Sequence, residues 1–195
     1  MSRTPRIISA TGIYHVMMRG INHQIIFRDD DDYRQFLLSM QRVQMRISYI
    51  NQSVSSNCTY YAYCLMPNHV HLLVKEDKLS IGKIVKRLAD SFVYYYNHKY
   101  QRDGHLFKER YRSEPVNDMV YFTMLLRYIH RNPVEAHLTE KVIDYPYSSW
   151  REYLPSANSS LSVCNTGAVL RRIPFKELEE MVNAPLPDDL YCIDI

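Results

Sequence analysis

Two histidines separated by one residue, His69 and His71, have a type and spacing that could do chemistry. They lie in MPNHVHLLVK, an apolar run that is typical of a β-strand. Alternate side chains of a strand share a face, so the two imidazoles would project together, about 7 Å apart at their Cα atoms, and could bind one divalent metal ion. The alternative is a pair of solvated histidines on the open face of a half-buried strand. The pattern alone leaves both interpretations open.

A tyrosine and an asparagine one helical turn apart, Tyr128 and Asn132, form a second candidate pair in LLRYIHRNPVEA. Tyr128 lies beside the apolar stripe of the predicted helix, so its ring can pack while its hydroxyl reaches outward. The amide carbonyl of Asn132 is an acceptable ligand for a hard cation such as Mg²⁺. Alternatively, Tyr128 is a tyrosine at the edge of the core and Asn132 a residue near the helix end.

The elements that must position these residues follow from hydrophobic periodicity. Their order, β-α-β-β-α-β-α, with short β-β connections, predicts an α+β fold: a ferredoxin-like antiparallel sheet with helices on one face, plus a C-terminal extension. The third helix is predicted to end before Pro133. The predicted strands are 13–19, 58–65, 69–75 and one within 106–116, and the predicted helices are 29–47, 80–100, 117–131 and 175–183.

The composition is that of an ordinary globular protein, with 195 residues, 46% hydrophobic and 23% charged. No stretch approaches the roughly 18 to 20 apolar residues of a membrane span, and the N-terminus lacks the apolar centre of a secretory signal. The four cysteines show no C-x-x-C spacing, which favours reduced thiols. We therefore expect a cytoplasmic protein without a membrane partner, and exclude the fibrous and disulfide-scaffold classes.

Charge is distributed unevenly along the chain. Residues 83–112 carry eight basic residues and three acidic ones, whereas residues 174–195 carry one lysine and six acidic residues. A basic body with an acidic tail is a weak indication of nucleic-acid binding. Four basic side chains flank the predicted fourth strand and could contact phosphates, although ordinary surface charge is the alternative: Arg102, Lys108, Arg110 and Arg112.

Four segments of the chain resemble a known family. MPNHVHLLV, NHKYQRDGHLFKERYRS, LLRYIHRNPVEA and YPYSSWREYL occur in this order within residues 14–153 and are similar to segments of the single-tyrosine HUH transposases, more narrowly the REP-associated tyrosine transposases. The resemblance implies a single-stranded DNA endonuclease and strand transferase with a ferredoxin-like sheet. It also implies that residues 1–154 form the HUH transposase domain, followed by a linker and an acidic C-terminal helix or tail at 155–195.

The resemblance carries over to individual residues. His69 and His71 match the histidines that hold a divalent metal ion, and Tyr128 matches the nucleophilic tyrosine. Asn132 stands where insertion-sequence relatives have a glutamine that can complete the metal site, and its side chain is one methylene shorter. The implied cofactor is Mg²⁺ or Mn²⁺. The implied substrate is hairpin-forming, REP-like single-stranded DNA, which a monomer or homodimer nicks and rejoins through a 5′-phosphotyrosine intermediate.

Two other functions remain open. One is a non-catalytic single-stranded nucleic-acid-binding module of ferredoxin-like fold, in which His69 and His71 merely face nucleic acid. The other is a metal-dependent hydrolase, in which water attacks and no covalent species forms. Two further histidines, His15 in the first strand and His130, are assigned no role. His130 could act as a proton shuttle, but helical spacing directs it away from Tyr128.

Overall fold

The computed structural model describes residues 7–47, 54–108, 111–156 and 161–186. Short 3-10 helices occur at Ile21–His23, Val142–Asp144 and Ser149–Tyr153. The strands and helices are β1 (Ile13–Arg19), α1 (Asp30–Gln44), β2 (Met45–Ile47), β3 (Val54–Ser56), β4 (Cys58–Met66), β5 (His69–Glu76), α2 (Ile81–Lys99), β6 (Arg112–Val116), α3 (Met119–Glu135), α4 (Thr166–Leu170) and α5 (Phe175–Asn183).

Four strands form one antiparallel sheet in the order β4-β5-β1-β6, which confirms the predicted antiparallel α+β fold. A tight turn joins β4 to β5, where Met66 and His69 are partners. The N-terminal strand β1 is central, between β5 and β6. Pro115 lies on the edge strand β6, where the missing N–H does not interrupt a second ladder. Strands β2 and β3 form a separate two-stranded ribbon.

Helices cover both faces of the sheet. Alternate residues of β5, namely Val70, Leu72 and Val74, are buried with α1 and α2. Leu73 faces the other way and is buried in a second core with α3 and α5. The prediction of helices on one face therefore holds for α1 and α2 and is wrong for α3. Both faces of β5 are buried from His69 to Val74, so each requires a cover, and α3 supplies the second one.

Helix α3 ends later than the sequence predicted. It continues through Pro133 to Glu135, because a proline in the last turn removes only one backbone hydrogen bond. The helix then ends in a Schellman arrangement. The N–H of Leu138 donates to the carbonyl of Pro133, the N–H of His137 donates to that of Val134, and His137 has a φ of 55°. Asn132 is consequently held in regular helix, one turn after Tyr128.

The C-terminal helix α5 spans the predicted residues and packs on α3. Leu178 and Val182 are fully buried in the shared core. From α3, the guanidinium of Arg131 donates to the carbonyl of Asn183 at 2.9 Å, which attaches the end of α5. The division of the chain into 1–154 and 155–195 stays a prediction. Among the described residues, no helix has the length and apolar character that crossing a membrane requires.

Candidate active site

His69 and His71 lie at the start of β5, on the face that α3 covers. His71 is fully buried and His69 is 9% exposed, so the alternative of two solvated histidines is wrong. Their ring centroids are 4.9 Å apart and the ring planes are nearly perpendicular, at 87°. The strand alternation thus brings the two imidazoles together, as the sequence predicted.

Neighbouring side chains orient both rings through their Nδ1 atoms. Nδ1 of His69 lies 2.6 Å from Oδ1 of Asn68, and Nδ1 of His71 lies 3.0 Å from Nε2 of His15. Histidines that bind metal ions usually engage their second ring nitrogen in this way, which fixes the ring and its tautomer. The Nε2 atoms of His69 and His71 are therefore the nitrogens through which the pair would bind a cation.

Helix α3 places Tyr128 against His71 and His15, the histidines of the two central strands. The Tyr128 ring meets the His71 ring edge-on, with centroids 5.4 Å apart and planes at 89°. It meets the His15 ring at 6.1 Å and 81°. Tyr128 is 3% exposed and Asn132 is 5% exposed, and Nδ2 of Asn132 donates to the Tyr128 hydroxyl at 3.3 Å. The predicted histidine pair, tyrosine and asparagine therefore meet within a single chain.

His15 belongs to this cluster, although the sequence analysis assigned it no role. Its ring is nearly parallel to that of His71, with centroids 5.2 Å apart and planes at 10°, and the two rings meet through their nitrogen edges. On the other side, Nδ1 of His15 is 3.8 Å from Oε2 of Glu114, its direct cross-strand partner in β6. The available signal was a histidine at an alternating position of an apolar strand. Spacing along the chain does not reveal that β1 runs between β5 and β6.

Glu114 is ionised at neutral pH. Its contact with His15, the hydrogen bond from the Tyr121 hydroxyl at 2.9 Å and the guanidinium of Arg112 at 2.7 Å together lower the pKa of Glu114 to about 2, against the opposing effect of burial. The outer end of this cluster is therefore a fixed negative charge. It lies two strands away from His71, with His15 between them.

The donor set suits a divalent cation with open coordination positions. Within residues 7–47, 54–108, 111–156 and 161–186, no group of three or more His, Cys, Asp or Glu side chains is placed to hold a metal ion. Two imidazoles, with the amide of Asn132 and the phenol of Tyr128 beside them, are fewer ligands than a divalent cation takes, so oxygen atoms of another molecule would complete the coordination. Imidazole nitrogen suits transition-metal ions such as Mn²⁺, and amide oxygen suits harder cations.

Comparison with known proteins assigns this arrangement to a family. The family described as "Transposase IS200 like" matches residues 11–132, more than half of the chain. This chain belongs to the IS200-like transposase family. The matched range begins before β1 and ends at Asn132, so it includes the whole histidine–tyrosine cluster. The resemblance drawn from the four sequence segments is confirmed.

Two relatives give this IS200-like transposase further context. A Haemophilus influenzae protein with the provisional name REP-associated tyrosine transposase is 28% identical over 123 residues, which cover 52% of this chain and 69% of that protein. A solved structure described as a REP-associated tyrosine transposase bound to a REP hairpin has a TM-score of 0.62. It is 14% identical, with 83% of this chain and 90% of that chain covered. At that identity, the structural likeness shows a shared fold.

In this transposase, His130 lies outside the cluster, as helical spacing indicated. It is fully buried, its Nε2 is 2.8 Å from Oγ of Ser149, and its ring packs against Trp150 and Tyr153 at 5.4 Å from each. Burial lowers the pKa of His130 to about 3, so the ring is neutral at physiological pH. His130 therefore stabilises the packing behind α3.

The predicted phosphate contacts of the transposase have different surroundings. The guanidinium of Arg102 lies over the Tyr96 ring at 5.5 Å. Arg112 is half-exposed and pairs with Glu114. Lys108 is exposed and borders a groove of about 840 Å³ between α2 and the chain that precedes β6. Arg110 lies outside the described residues.

Proposed function

We propose that this IS200-like transposase nicks and rejoins single-stranded DNA at hairpin-forming, REP-like sequences, through a covalent bond to Tyr128. One observation carries the proposal. A buried tyrosine lies edge-on against one of two paired histidines of the same chain, 5.4 Å away between ring centroids. A phenol beside a pair of imidazoles is the minimum that metal-assisted tyrosine attack on a phosphodiester requires.

His69 and His71 are proposed to hold Mg²⁺ or Mn²⁺, with Asn132 as a third ligand through its carbonyl oxygen. When bound, the ion would neutralise the negative charge that builds on the phosphate oxygens in the transition state. Imidazole ligands accept Mn²⁺ more readily than Mg²⁺, so we expect Mn²⁺ to support activity at least as well. The amide nitrogen of Asn132 contacts the Tyr128 hydroxyl, so the carbonyl oxygen of the same amide would be the atom that binds the ion.

Cleavage would exchange one phosphate ester for another, so the energy of the phosphodiester bond would be kept in the bond to Tyr128. Oη of Tyr128 attacks the phosphorus, the bond between phosphorus and the 3′ oxygen breaks, and the phenolic proton ends on that 3′ oxygen. The products are a 5′-phosphotyrosine ester and a free 3′ hydroxyl. The reverse attack by a 3′ hydroxyl on the ester rejoins a strand and restores the phenol. Neither direction consumes water or ATP.

Tyr128 starts as a poor nucleophile, because a free tyrosine has a pKa near 10. The amide of Asn132 donates to its hydroxyl oxygen, and this contact stabilises negative charge on that oxygen as the proton leaves. This contact favours attack by the phenol over the hydrolase alternative, in which water attacks.

DNA is proposed to contact Arg102, Lys108, Arg110 and Arg112. The solved structure with the same fold has a REP hairpin bound, which supports a hairpin-forming substrate for this chain. The exposed ammonium of Lys108 and the groove beside it supply positive charge and space for a backbone. Lys108 also donates its backbone N–H to Arg19, the cross-strand partner of His69, so it lies near the metal-binding end of the sheet.

A labelled hairpin oligonucleotide incubated with Mn²⁺ tests the function. We expect a protein–DNA band that survives denaturation, and we expect Tyr128→Phe to abolish it. Tyr61→Phe is the matched control, because Tyr61 packs on the same helix, against Phe122, outside the cluster. If Tyr128→Phe still forms the band, another tyrosine is the nucleophile.

The same assay separates the two alternatives. A hydrolase would release free 5′ phosphate with no covalent band at any time point. A binding module would retard the hairpin in a native gel without any cleavage, with or without metal ions. Either result would contradict the proposed strand transfer.

A further inference from the structure

We propose that His15 and Glu114 are positioning residues that fix the tautomer of His71, so that Nε2 of His71 is presented to the metal ion. This inference rests on the proposed function, because it assigns a role to residues behind the proposed metal ligand. The two side chains lie on β1, the strand next to β5, and on β6, the next strand beyond it in the same sheet.

The first step is the edge-to-edge contact between the rings of His15 and His71. Nε2 of His15 and Nδ1 of His71 are 3.0 Å apart, and both rings are almost completely buried. At this distance one nitrogen must carry a proton and the other must accept it, since two facing lone pairs would repel each other. The proton therefore lies either on Nδ1 of His71 or on Nε2 of His15.

The second step is the carboxylate behind His15. Oε2 of Glu114 lies 3.8 Å from Nδ1 of His15, and Glu114 is itself held by Arg112 and Tyr121. A negative charge at this place favours a proton on Nδ1 of His15 and disfavours a lone pair there. A neutral His15 with its proton on Nδ1 has a lone pair on Nε2, which then accepts from His71.

The third step follows for His71. With its proton on Nδ1, directed at His15, its lone pair lies on Nε2. Carboxylate–histidine chains of this kind orient metal ligands and raise their basicity, and removing such a partner typically weakens metal binding about 10- to 100-fold. In the opposite arrangement His71 would carry its proton on Nε2 and could not bind a cation through that atom.

The strand register makes the arrangement a property of the fold. His15 and Glu114 are direct cross-strand partners, while His71 is the partner of Met17, two residues along β1 from His15. Diagonal neighbours at this offset are within reach of long or aromatic side chains. A buried histidine that merely satisfies its own hydrogen bonds would place no requirement on the tautomer of His71, and this difference makes the proposal testable.

The first experiment reads the tautomer in the metal-free wild-type protein by long-range ¹H–¹⁵N NMR of the imidazole rings. We expect His71 to carry its proton on Nδ1. A His71 ring protonated on Nε2 would overturn the inference. Because this measurement uses the unsubstituted protein, it does not depend on whether any variant folds.

The second experiment measures Mn²⁺ affinity from the EPR signal of the free ion. His15→Phe keeps a buried ring and removes the acceptor, so we expect about 10- to 100-fold weaker binding. His15→Gln keeps an oxygen acceptor near the place of Nε2 and should recover most of the affinity. Glu114→Gln should weaken binding, whereas Glu135→Gln should not. Glu135 is the matched control, with a side chain 22% exposed against 26% for Glu114, and it also pairs with an arginine.

His71→Ala separates failure of this inference from failure of the proposed function. If His71→Ala binds Mn²⁺ as tightly as the wild type, the metal site is wrong and the inference falls with it. A thermal unfolding transition shows whether His15→Phe is folded. If folded His15→Phe binds Mn²⁺ like the wild type while His71→Ala does not bind it, the inference alone is overturned. Weakened binding in both variants, with recovery in His15→Gln, supports it.

Discussion

The side-chain amide of Asn132 donates a hydrogen bond at 3.3 Å to the hydroxyl of Tyr128, which lies one turn earlier in α3. Both side chains are buried beside the histidine cluster. Because α3 passes through Pro133 without breaking, the contact is made inside regular helix. The phenol oxygen thus has a fixed neutral donor at the place where charge would develop.

Removing that donor should slow formation of the covalent complex. We expect Asn132→Ala to reduce the single-turnover rate about 100-fold, since one preorganised donor to developing charge contributes about that much. Asn132→Asp should be slower still, because its carboxylate would repel the phenolate. The rate is measured as appearance of the denaturation-resistant band. A rate for Asn132→Ala equal to that of the wild type would remove Asn132 from the chemistry.

The metal requirement can be tested by removing the ion. We expect EDTA to abolish adduct formation and Mn²⁺ to restore it, and His69→Ala or His71→Ala should be inactive even at saturating Mn²⁺. The cause is the loss of one of the two imidazole ligands from the pair 4.9 Å apart. His130→Gln provides the control, because His130 contacts Ser149 outside the cluster. Full activity in EDTA would exclude a metal ion from the reaction.

The sites should form within single chains. His71 and Tyr128 of the same chain are in contact, so a mixture of His71→Ala and Tyr128→Phe proteins should remain inactive. Adduct yield with the mixed variants, together with light scattering of the wild type, checks this. Recovery of activity on mixing would indicate sites shared between two chains.

Salt dependence should identify the phosphate contacts. We expect Lys108→Gln and Arg102→Gln each to weaken hairpin binding and to reduce the slope of log Kd against log salt by about 0.7 to 0.9, as expected for one lost phosphate contact. Lys176→Gln is the control, since Lys176 is exposed on α5 among acidic residues. Fluorescence anisotropy at several salt concentrations gives the slope, and an unchanged slope would assign these charges to the free surface.

Acid should destabilise the fold through His130. Its pKa is about 3 in the folded protein and about 6.5 in an unfolded chain, so the unfolded state binds more protons between these values. Stability from this group is therefore complete above pH 6.5 and falls as the pH is lowered, by about 2 kcal/mol between pH 7 and pH 5. Urea unfolding at both pH values should show this loss in the wild type and a smaller one in His130→Gln. Glu114, whose pKa is lowered to about 2, still stabilises the folded protein at pH 5. That stabilisation is lost only as the pH falls further, towards 2.

The sequence predicted those parts of the site that depend on local spacing. Period-two alternation placed His69 and His71 on one face, and helical spacing placed Asn132 beside Tyr128. It also directed His130 away from Tyr128, where the structure has it packed against Trp150. Each of these pairs lies within one strand or one helix, so the number of residues between its members determines how their side chains are placed relative to each other.

The features that the sequence did not predict depend on contacts distant in the chain. His15 and Glu114 are brought together by strand order, and 98 residues separate them. The second helical face was missed because burial of both faces of β5 is visible only once α3 is docked. The end of α3 was misplaced because the Schellman contacts around His137 outweigh the one hydrogen bond lost at Pro133.

Because β5 lies between two hydrophobic cores, its even-numbered residues pack in one core and its odd-numbered residues face the other. Val70 and Leu72 belong with α1 and α2, on the side of the groove, whereas His71 and Leu73 belong with α3 and the candidate chemistry. Substitutions at the even positions of β5 should therefore change the packing beside the groove and leave the contact between His71 and Tyr128 as it is. The two faces of this one strand can vary separately.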